Sequence, residues 1–136
     1  SAKTYPIDRW KSVISLIGQA NCVQVGVKDE EQLVDRFYQN MELDMLRELI
    51  RESDTWVCCD SFLQHLAAPL NKPGVVIWSV SDPVIFGYPH NTNLLKSRAY
   101  LRPRQFDIWE TVSFIPDAFV EPDLVAASVM DIVHRR

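Results

Sequence analysis

The stretch CCDSFLQHLAAPLNKPGVVIW, residues 58–78, decides the fold. The apolar run TWVCC, residues 55–59, leads into it and predicts a strand. From Phe62 to Leu70 the apolar residues recur at helical spacing, and the letters NKPG then predict the end of a helix. Residues 74–80, GVVIWSV, are almost continuously apolar, which is typical of a strand covered by helices on both faces. The stretch therefore predicts a strand, a helix and a second strand of a parallel sheet.

The flanking sequence continues this alternation. Apolar residues recur at three- and four-residue steps in residues 8–16, 42–52 and 121–136, which predicts a helix in each of these stretches. Residues 29–39 are also predicted to be a helix, because their acidic start complements a helix N-terminus. The β-branched run NCVQVGV, residues 21–27, predicts another strand. Residues 81–104 contain Pro, Gly and Asn without a period, so they are predicted to be mostly a long loop that contacts a ligand.

Strands that alternate with helices predict right-handed crossovers, and hence an α/β domain of three layers with a Rossmann-like parallel sheet. The 136 residues fit one such domain, so we predict a single domain over residues 1–136. In sheets of this kind ligands bind outside the carboxyl ends of the strands. The segments predicted to reach a ligand are residues 26–30, 59–65 and 79–93.

Composition narrows the function classes. Eighteen acidic and 14 basic residues give a formal charge of −4, so no net basic field attracts DNA or RNA. No window approaches the roughly 20 consecutive apolar residues of a membrane span, and the N-terminus SAKTYPIDRW lacks the apolar core of a secretory signal. Cys22, Cys58 and Cys59 show no C-x-x-C spacing and suit a reducing compartment. We therefore expect a cytoplasmic protein with no membrane span.

The junction Asp60-Ser61 is the candidate site. Either side chain can cap the helix that follows, and the N–H groups of the first helical turn form a receptor for an anion such as phosphate. His65 lies one turn after Ser61 on the same face, so its imidazole could donate a hydrogen bond to a bound diphosphate. A purely structural interpretation stays open, because Asp-Ser is common capping chemistry and a lone helical histidine often serves packing.

The block D-S-F-L-Q-H-L-A-A-P-L-N-K-P, residues 60–73, resembles the signature D-T-G-L-x-H-L-A-A-A-L-x-x-P of the ADP-heptose:lipopolysaccharide heptosyltransferases, glycosyltransferase family 9. Further stretches are similar to K-x-W-P-x-x-x-W, to G-x-x-x-E-E, to T-x-P and to the loop after T-x-P; they are residues 3–10, 26–31, 81–83 and 86–94. The resemblance covers most of the chain. It implies the C-terminal, nucleotide-sugar-binding half of a two-domain GT-B glycosyltransferase.

The resemblance also implies roles for residues outside the block. Lys3 would face the diphosphate and stabilise the leaving group. Glu30 would contact the ribose hydroxyls, and Met41 would line the base. Each has a plain structural alternative: Glu30 favours a helix start, Met41 fills a gap in packing, and an N-terminal lysine is usually solvated.

Within the block and the T-x-P loop, the resemblance implies substrate contacts at Asp60, Ser61, Phe62, His65 and Ser81. Two departures from the family pattern stand out. Phe62 replaces a glycine, so its bulk is expected to narrow or redirect the anion site. Ser81 keeps a hydroxyl, but the Gly-Pro pair before it is absent, which places the sugar specificity in question.

The function implied by the resemblance is the binding of an ADP-sugar, ADP-heptose or a similar donor, for transfer to a glycan or lipopolysaccharide acceptor. The acceptor site and the general base would come from an N-terminal domain that is not found in these residues. No cofactor is implied, and Asp82, Asp107 and Asp117 lack a metal-ligand spacing. The implied location is the cytoplasm or the cytoplasmic face of a bacterial inner membrane.

Two other functions stay open. A degenerate domain could keep the fold as a non-catalytic binding or interaction module, with Phe62 filling the former phosphate pocket. A phosphate-sensing or phosphoester-cleaving α/β domain ranks last, because it needs a poised nucleophile or a metal and Asp60 with Ser61 is insufficient evidence of either.

Overall fold

The computed structural model describes residues 3–106 and 112–135, which form five α-helices and five short β-strands. In chain order the elements are α1 (Ile7–Ile17), β1 (Gln24–Gly26), β2 (Phe37–Gln39), α2 (Leu43–Glu52), β3 (Val57–Cys59), α3 (Phe62–Ala67), β4 (Val75–Trp78), α4 (Pro83–Phe86), β5 (Thr92–Leu95) and α5 (Pro122–His134). Short 3-10 turns cover residues 19–21, 68–70, 98–100 and 116–118.

The strands form two parallel sheets. β1 pairs with β2, and a separate three-stranded sheet has the order β3-β4-β5. In the larger sheet Cys58 lies opposite Val76, and Val76 lies opposite Asn93. Because all three strands run in the same direction, their carboxyl ends lie along one edge. Asp60 and Ser79, which follow β3 and β4, therefore belong to the same edge of the sheet.

Helices cover both faces of the larger sheet. One core cluster joins β4 to α1 and α5 and includes Val75, Ile77, Val13, Val125 and Val129. The other joins β4 to α2 and α3 and includes Val76, Trp78, Leu46, Ile50 and Ala67. Successive strand side chains point to opposite faces, so the continuous apolar run of β4 is buried on both sides. The predicted α/β class with parallel strands is confirmed.

The prediction of a helix over residues 29–39 is wrong. Residues 28–30 form a turn, and the chain then runs to β2 without a helix. The side-chain amide of Gln24 binds this segment, because its oxygen accepts the Leu33 N–H at 2.7 Å and its nitrogen donates to the Glu31 carbonyl at 2.9 Å. The aromatic residues Phe37 and Tyr38 favour the extended conformation that pairs with β1. These tertiary contacts outweigh the acidic signal for a helix start.

The prediction that residues 81–104 are mostly loop missed two regular elements. α4 is a single turn whose N-cap, Asp82, accepts a hydrogen bond from the Val84 N–H at 2.9 Å. β5 is an edge strand of the larger sheet. Both elements have four residues, which is too short for a hydrophobic period to be recognised.

The remaining predicted elements are confirmed with bounds that differ by at most three residues: α1 is longer than predicted and the others are shorter. Leu43 and Leu124 share the helical spacing of the buried residues in α2 and α5, but they are 54% and 48% exposed because both lie in the first turn of their helices. Arg136, at the end of the last predicted helix, lies outside the described residues. In the part of the chain that the structure describes, no helix has the length and apolar character needed to cross a bilayer.

Candidate functional site

The N-terminal segment reaches the carboxyl end of β3. Lys3 Nζ lies 3.1 Å from a carboxylate oxygen of Asp60, the first residue after that strand. Tyr5 anchors the segment, because it is fully buried, its hydroxyl donates to the Val120 carbonyl at 2.9 Å, and its N–H donates to Cys59 Sγ at 3.4 Å. Burial raises the pKa of Tyr5 to about 12, so the phenol remains a neutral donor. A lysine and a carboxylate from distant parts of the sequence thus meet at this edge.

α3 begins at the same place. Ser61 occupies the predicted N-cap position with an extended backbone, but it makes no side-chain cap bond to the helix. Burial raises the pKa of the nearby Cys58 thiol to about 12, against the opposing effect of Ser61 and the Gln64 backbone, so the thiol stays protonated. The carboxylate of Asp60 is 15% exposed and accepts a hydrogen bond from the Gln64 side chain at 3.5 Å.

Phe62 and His65 lie on the exposed side of α3. The ring of Phe62 is 60% exposed and belongs to neither core cluster, so it is open to solvent. His65 is also exposed, and its Nδ1 lies 2.8 Å from the hydroxyl of Tyr88. The two rings meet edge to face with centroids 5.4 Å apart. Sequence reasoning missed Tyr88 as a partner, although an aromatic hydroxyl in the loop after β4 was the available signal.

Residues 79–82, which directly follow β4, are buried. Ser81 is 2% exposed, and its hydroxyl has no hydrogen-bond partner in the described part of the chain. Asp82 accepts two hydrogen bonds from Arg98, at 3.1 and 2.6 Å, which hold the pKa of its carboxyl below the ordinary value. Gln105 accepts from the Asp82 N–H at 2.8 Å and donates to the Val80 carbonyl at 3.0 Å. An unpaired buried hydroxyl is costly, but this one is closed off from solvent, so a ligand could contact it only after the residues around it move.

The last two predicted residues follow β1 and β2. Glu30 is exposed, and its carboxylate lies over Gly26 in the space that a Cβ would need. Met41 packs partly against the core cluster beside α2 and also lines a cleft of about 520 Å³. Four aromatic or apolar residues and three acidic ones line this cleft: Tyr38, Met41, Met45, Leu49, Asp44, Glu48 and Glu52. Both the packing interpretation and a base-lining role fit this position of Met41.

The structure thus brings some of the residues predicted to contact substrate close together and leaves others at a separate cleft. Lys3 touches Asp60, and Ser61, Phe62 and His65 continue along α3 from the same junction. Neither Lys3 nor Asp60 lines the cleft that contains Met41. Asp107 lies outside the described residues, and among those described no three His, Cys, Asp or Glu side chains are grouped to hold a metal ion.

Comparison with known proteins gives one match. The sequence model of a family described as "Glycosyltransferase family 9 (heptosyltransferase)" matches residues 1–107. No curated protein and no solved structure matches the chain significantly. The matched range contains every residue that the sequence analysis predicted to contact substrate, from Lys3 to Ser81.

Proposed function

The chain belongs to glycosyltransferase family 9, and we propose that it is the nucleotide-diphospho-sugar-binding domain of a heptosyltransferase-like enzyme. In this proposal the domain binds an ADP-sugar, ADP-heptose or a similar donor, at the carboxyl ends of its strands. The acceptor, a glycan or lipopolysaccharide, and the general base belong to the other half of a two-domain GT-B enzyme. Such an enzyme would act in the cytoplasm or at the cytoplasmic face of a bacterial inner membrane.

The contact between Lys3 and Asp60 is the observation that carries the proposal. The family resemblance assigns Lys3 and the start of α3 to the same diphosphate, although they are far apart in the sequence. The 3.1 Å distance between the lysine nitrogen and the Asp60 carboxylate supports that assignment. The Lys3 side chain is 43% exposed, so it can also reach an anion in solvent. A parallel sheet edge that receives a lysine from another segment is suited to bind a phosphorylated ligand.

The proposed reaction is a displacement at the anomeric carbon of the donor sugar. An acceptor hydroxyl forms the new bond, the bond from the sugar to the diphosphate breaks, and its electron pair leaves with ADP. The hydroxyl proton passes to the general base of the acceptor domain. The contribution of this chain is to stabilise the charge that develops on the leaving diphosphate.

The residues divide that task by their chemistry. The ammonium of Lys3, the first-turn amides of α3 and the imidazole of His65 would contact the diphosphate oxygens. Glu30 would accept hydrogen bonds from the ribose hydroxyls, and Met41 would contact the base. The hydroxyl of Ser81 would face the sugar. Lys3 has a second task, since it neutralises a carboxylate that would otherwise repel the diphosphate.

Thermal unfolding with and without nucleotide tests the proposal. A ligand that binds only the folded state stabilises it by about 2.7 kcal/mol at a hundredfold excess over Kd. ADP is expected to raise the Tm, and adenosine should raise it less because it lacks the diphosphate. UDP and GDP in parallel titrations test the choice of base. An unchanged Tm with millimolar ADP and with ADP-sugars would contradict donor binding.

A non-catalytic interaction module is the second candidate. It is favoured by exposed apolar side chains: Phe106 is 76% exposed and contacts the ring of Phe86, and Val84, in the same short helix as Phe86, is 81% exposed. In one version of this alternative the ring of Phe62 fills a former phosphate pocket. The 60% exposure of Phe62 argues against that version. The same titration separates the two functions, since an interaction module leaves the Tm unchanged by ADP.

A further inference from the structure

Tyr88 contacts the imidazole that the proposed function assigns to the diphosphate. Its hydroxyl lies 2.8 Å from Nδ1 of His65, and the two rings meet edge to face. We propose that Tyr88 is a positioning residue that holds His65 with Nδ1 occupied and Nε2 carrying the proton for the ligand. This inference rests on the proposed function, because the orientation of His65 affects binding only where a diphosphate is bound beside it.

Tyr88 is itself held by the sheet. Asn93 of β5 donates to the Tyr88 carbonyl at 3.0 Å, and its side-chain oxygen accepts from Trp78 Nε1 at 2.9 Å. Trp78 is fully buried in β4, so this chain of contacts begins in the core. Gly87, the preceding residue, packs closely here, since a Cβ would meet the Asn93 oxygen and the Trp78 ring at 3.1 Å each. The backbone of the residue whose hydroxyl meets His65 is therefore anchored to two strands.

The proposed direction of the hydrogen bond, from the Tyr88 hydroxyl to Nδ1 of His65, selects one form of the ring. A neutral imidazole has one nitrogen that donates and one that accepts. When the Tyr88 hydroxyl donates to Nδ1, the ring proton resides on Nε2, and Nε2–H becomes a fixed donor for a phosphate oxygen. A ring without this contact exchanges between tautomers and rotamers. Ligand binding must then restrict this freedom, which lowers the affinity. The ring of His90 also lies beside Tyr88, with ring centroids 5.6 Å apart.

Nitrogen-15 NMR of His65 in the unliganded protein tests the positioning role without any ligand. At pH 8 the wild type is expected to show shifts of a nearly pure Nε2–H tautomer. Tyr88→Phe keeps the ring contact but removes the hydroxyl, so His65 should show the averaged shifts of an unconstrained imidazole. Tyr100→Phe, which removes a hydroxyl from the 3-10 turn at residues 98–100, is the matched control and should change nothing. Unchanged His65 shifts in Tyr88→Phe, or an Nδ1–H tautomer in the wild type, would overturn the proposal.

Calorimetric titration then measures the effect on the ligand. Tyr88→Phe should weaken ADP binding about three- to fivefold and leave adenosine binding unchanged. In a His65→Ala background the same substitution should have no further effect, because the residue through which it acts is gone. A full effect in that background would mean that Tyr88 acts elsewhere. If the wild type binds no ADP, the proposed function fails, while the NMR result still decides whether Tyr88 fixes the ring.

Discussion

Lys3 Nζ lies 3.1 Å from a carboxylate oxygen of Asp60, and the two side chains differ in exposure, at 43% and 15%. The carboxylate of Asp60 is therefore largely shielded from water, whereas the ammonium of Lys3 is still in contact with water. A diphosphate that binds at the start of α3 adds a second anion beside Asp60, and both anions then share the positive charge of Lys3. The charge on Asp60 and the affinity for a diphosphate should consequently be coupled.

We expect Lys3→Met to weaken ADP binding about tenfold, which corresponds to about 1.4 kcal/mol, and to weaken adenosine binding less than twofold. The reason is that the ammonium contacts the diphosphate and also neutralises Asp60. Adding Asp60→Asn to Lys3→Met should restore part of the affinity, because the uncompensated carboxylate is removed. Isothermal titration calorimetry measures all four proteins of this cycle.

Lys11→Met is the control for that cycle, since Lys11 is an exposed lysine of α1 that pairs with Glu31 at 3.1 Å. It should leave ADP affinity within twofold of the wild type. Equal losses of ADP and adenosine affinity in Lys3→Met would show that Lys3 does not act on the diphosphate.

Glu30→Gln should reduce the affinity for ADP more than the affinity for 2′-deoxy-ADP. A carboxylate accepts hydrogen bonds from both ribose hydroxyls, and the neutral amide that replaces it is a weaker acceptor. A loss of about five- to tenfold for ADP is expected, measured by competition against a fluorescent nucleotide. Glu31→Gln is the neighbouring control and should have little effect. Equal losses for the two nucleotides would exclude a ribose contact.

Phe62→Gly should change the affinity for ADP by less than about threefold, because a ring that is 60% exposed does not occupy a closed site. It should change the free energy of unfolding by no more than about 1 kcal/mol, as for an exposed helix position. Phe119→Ala, which empties a fully buried position, should cost about 3–5 kcal/mol in the same urea titration. A gain in ADP affinity of more than tenfold in Phe62→Gly would instead support an occluded, degenerate site.

The sequence predicted the central strand of the larger sheet and the helices beside it well, because their signals are local. The apolar run of β4 and the helical spacing in α2 and α5 can be counted within one element, and the structure confirms all three. The error at residues 29–39 has a different origin, because the bonds from Gln24 to Leu33 and Glu31 join separate segments. No hydrophobic period reports a contact of that kind.

In the candidate site, too, residues that belong to a local pattern could be predicted from the sequence, whereas contacts between distant segments could not. Ser61 and His65 follow from the start of a helix after a strand, which is a local pattern. The meeting of Lys3 with Asp60 could be expected only through the family resemblance, since spacing along the chain does not bring them together. The contact between Tyr88 and His65 depends on how β5 and the loop before it return to the sheet, and the sequence analysis had interpreted that region as loop.

The Asp82–Arg98 pair makes folding stability depend on pH. Hydrogen bonds from Arg98 lower the pKa of Asp82 in the folded state, so its contribution is present above the ordinary pKa of about 3.9 and is lost as the pH falls through the lower folded value. Asp82→Asn keeps an oxygen that can cap α4 but removes the charge. It should lower the free energy of unfolding by about 1–2 kcal/mol at pH 7 and by much less at pH 3, in urea titrations.

Asp131→Asn supplies the contrast, because that carboxylate pairs with Arg135 on the surface of α5 and is 67% exposed. Exposed pairs contribute little, so this variant should stay within about 0.5 kcal/mol of the wild type at both pH values. Asp82 is different because it is almost fully buried and is held by two hydrogen bonds from Arg98 as well as by the Val84 N–H. If the stability difference of Asp82→Asn persists undiminished at pH 3, its origin is the shape of the cap rather than the charge.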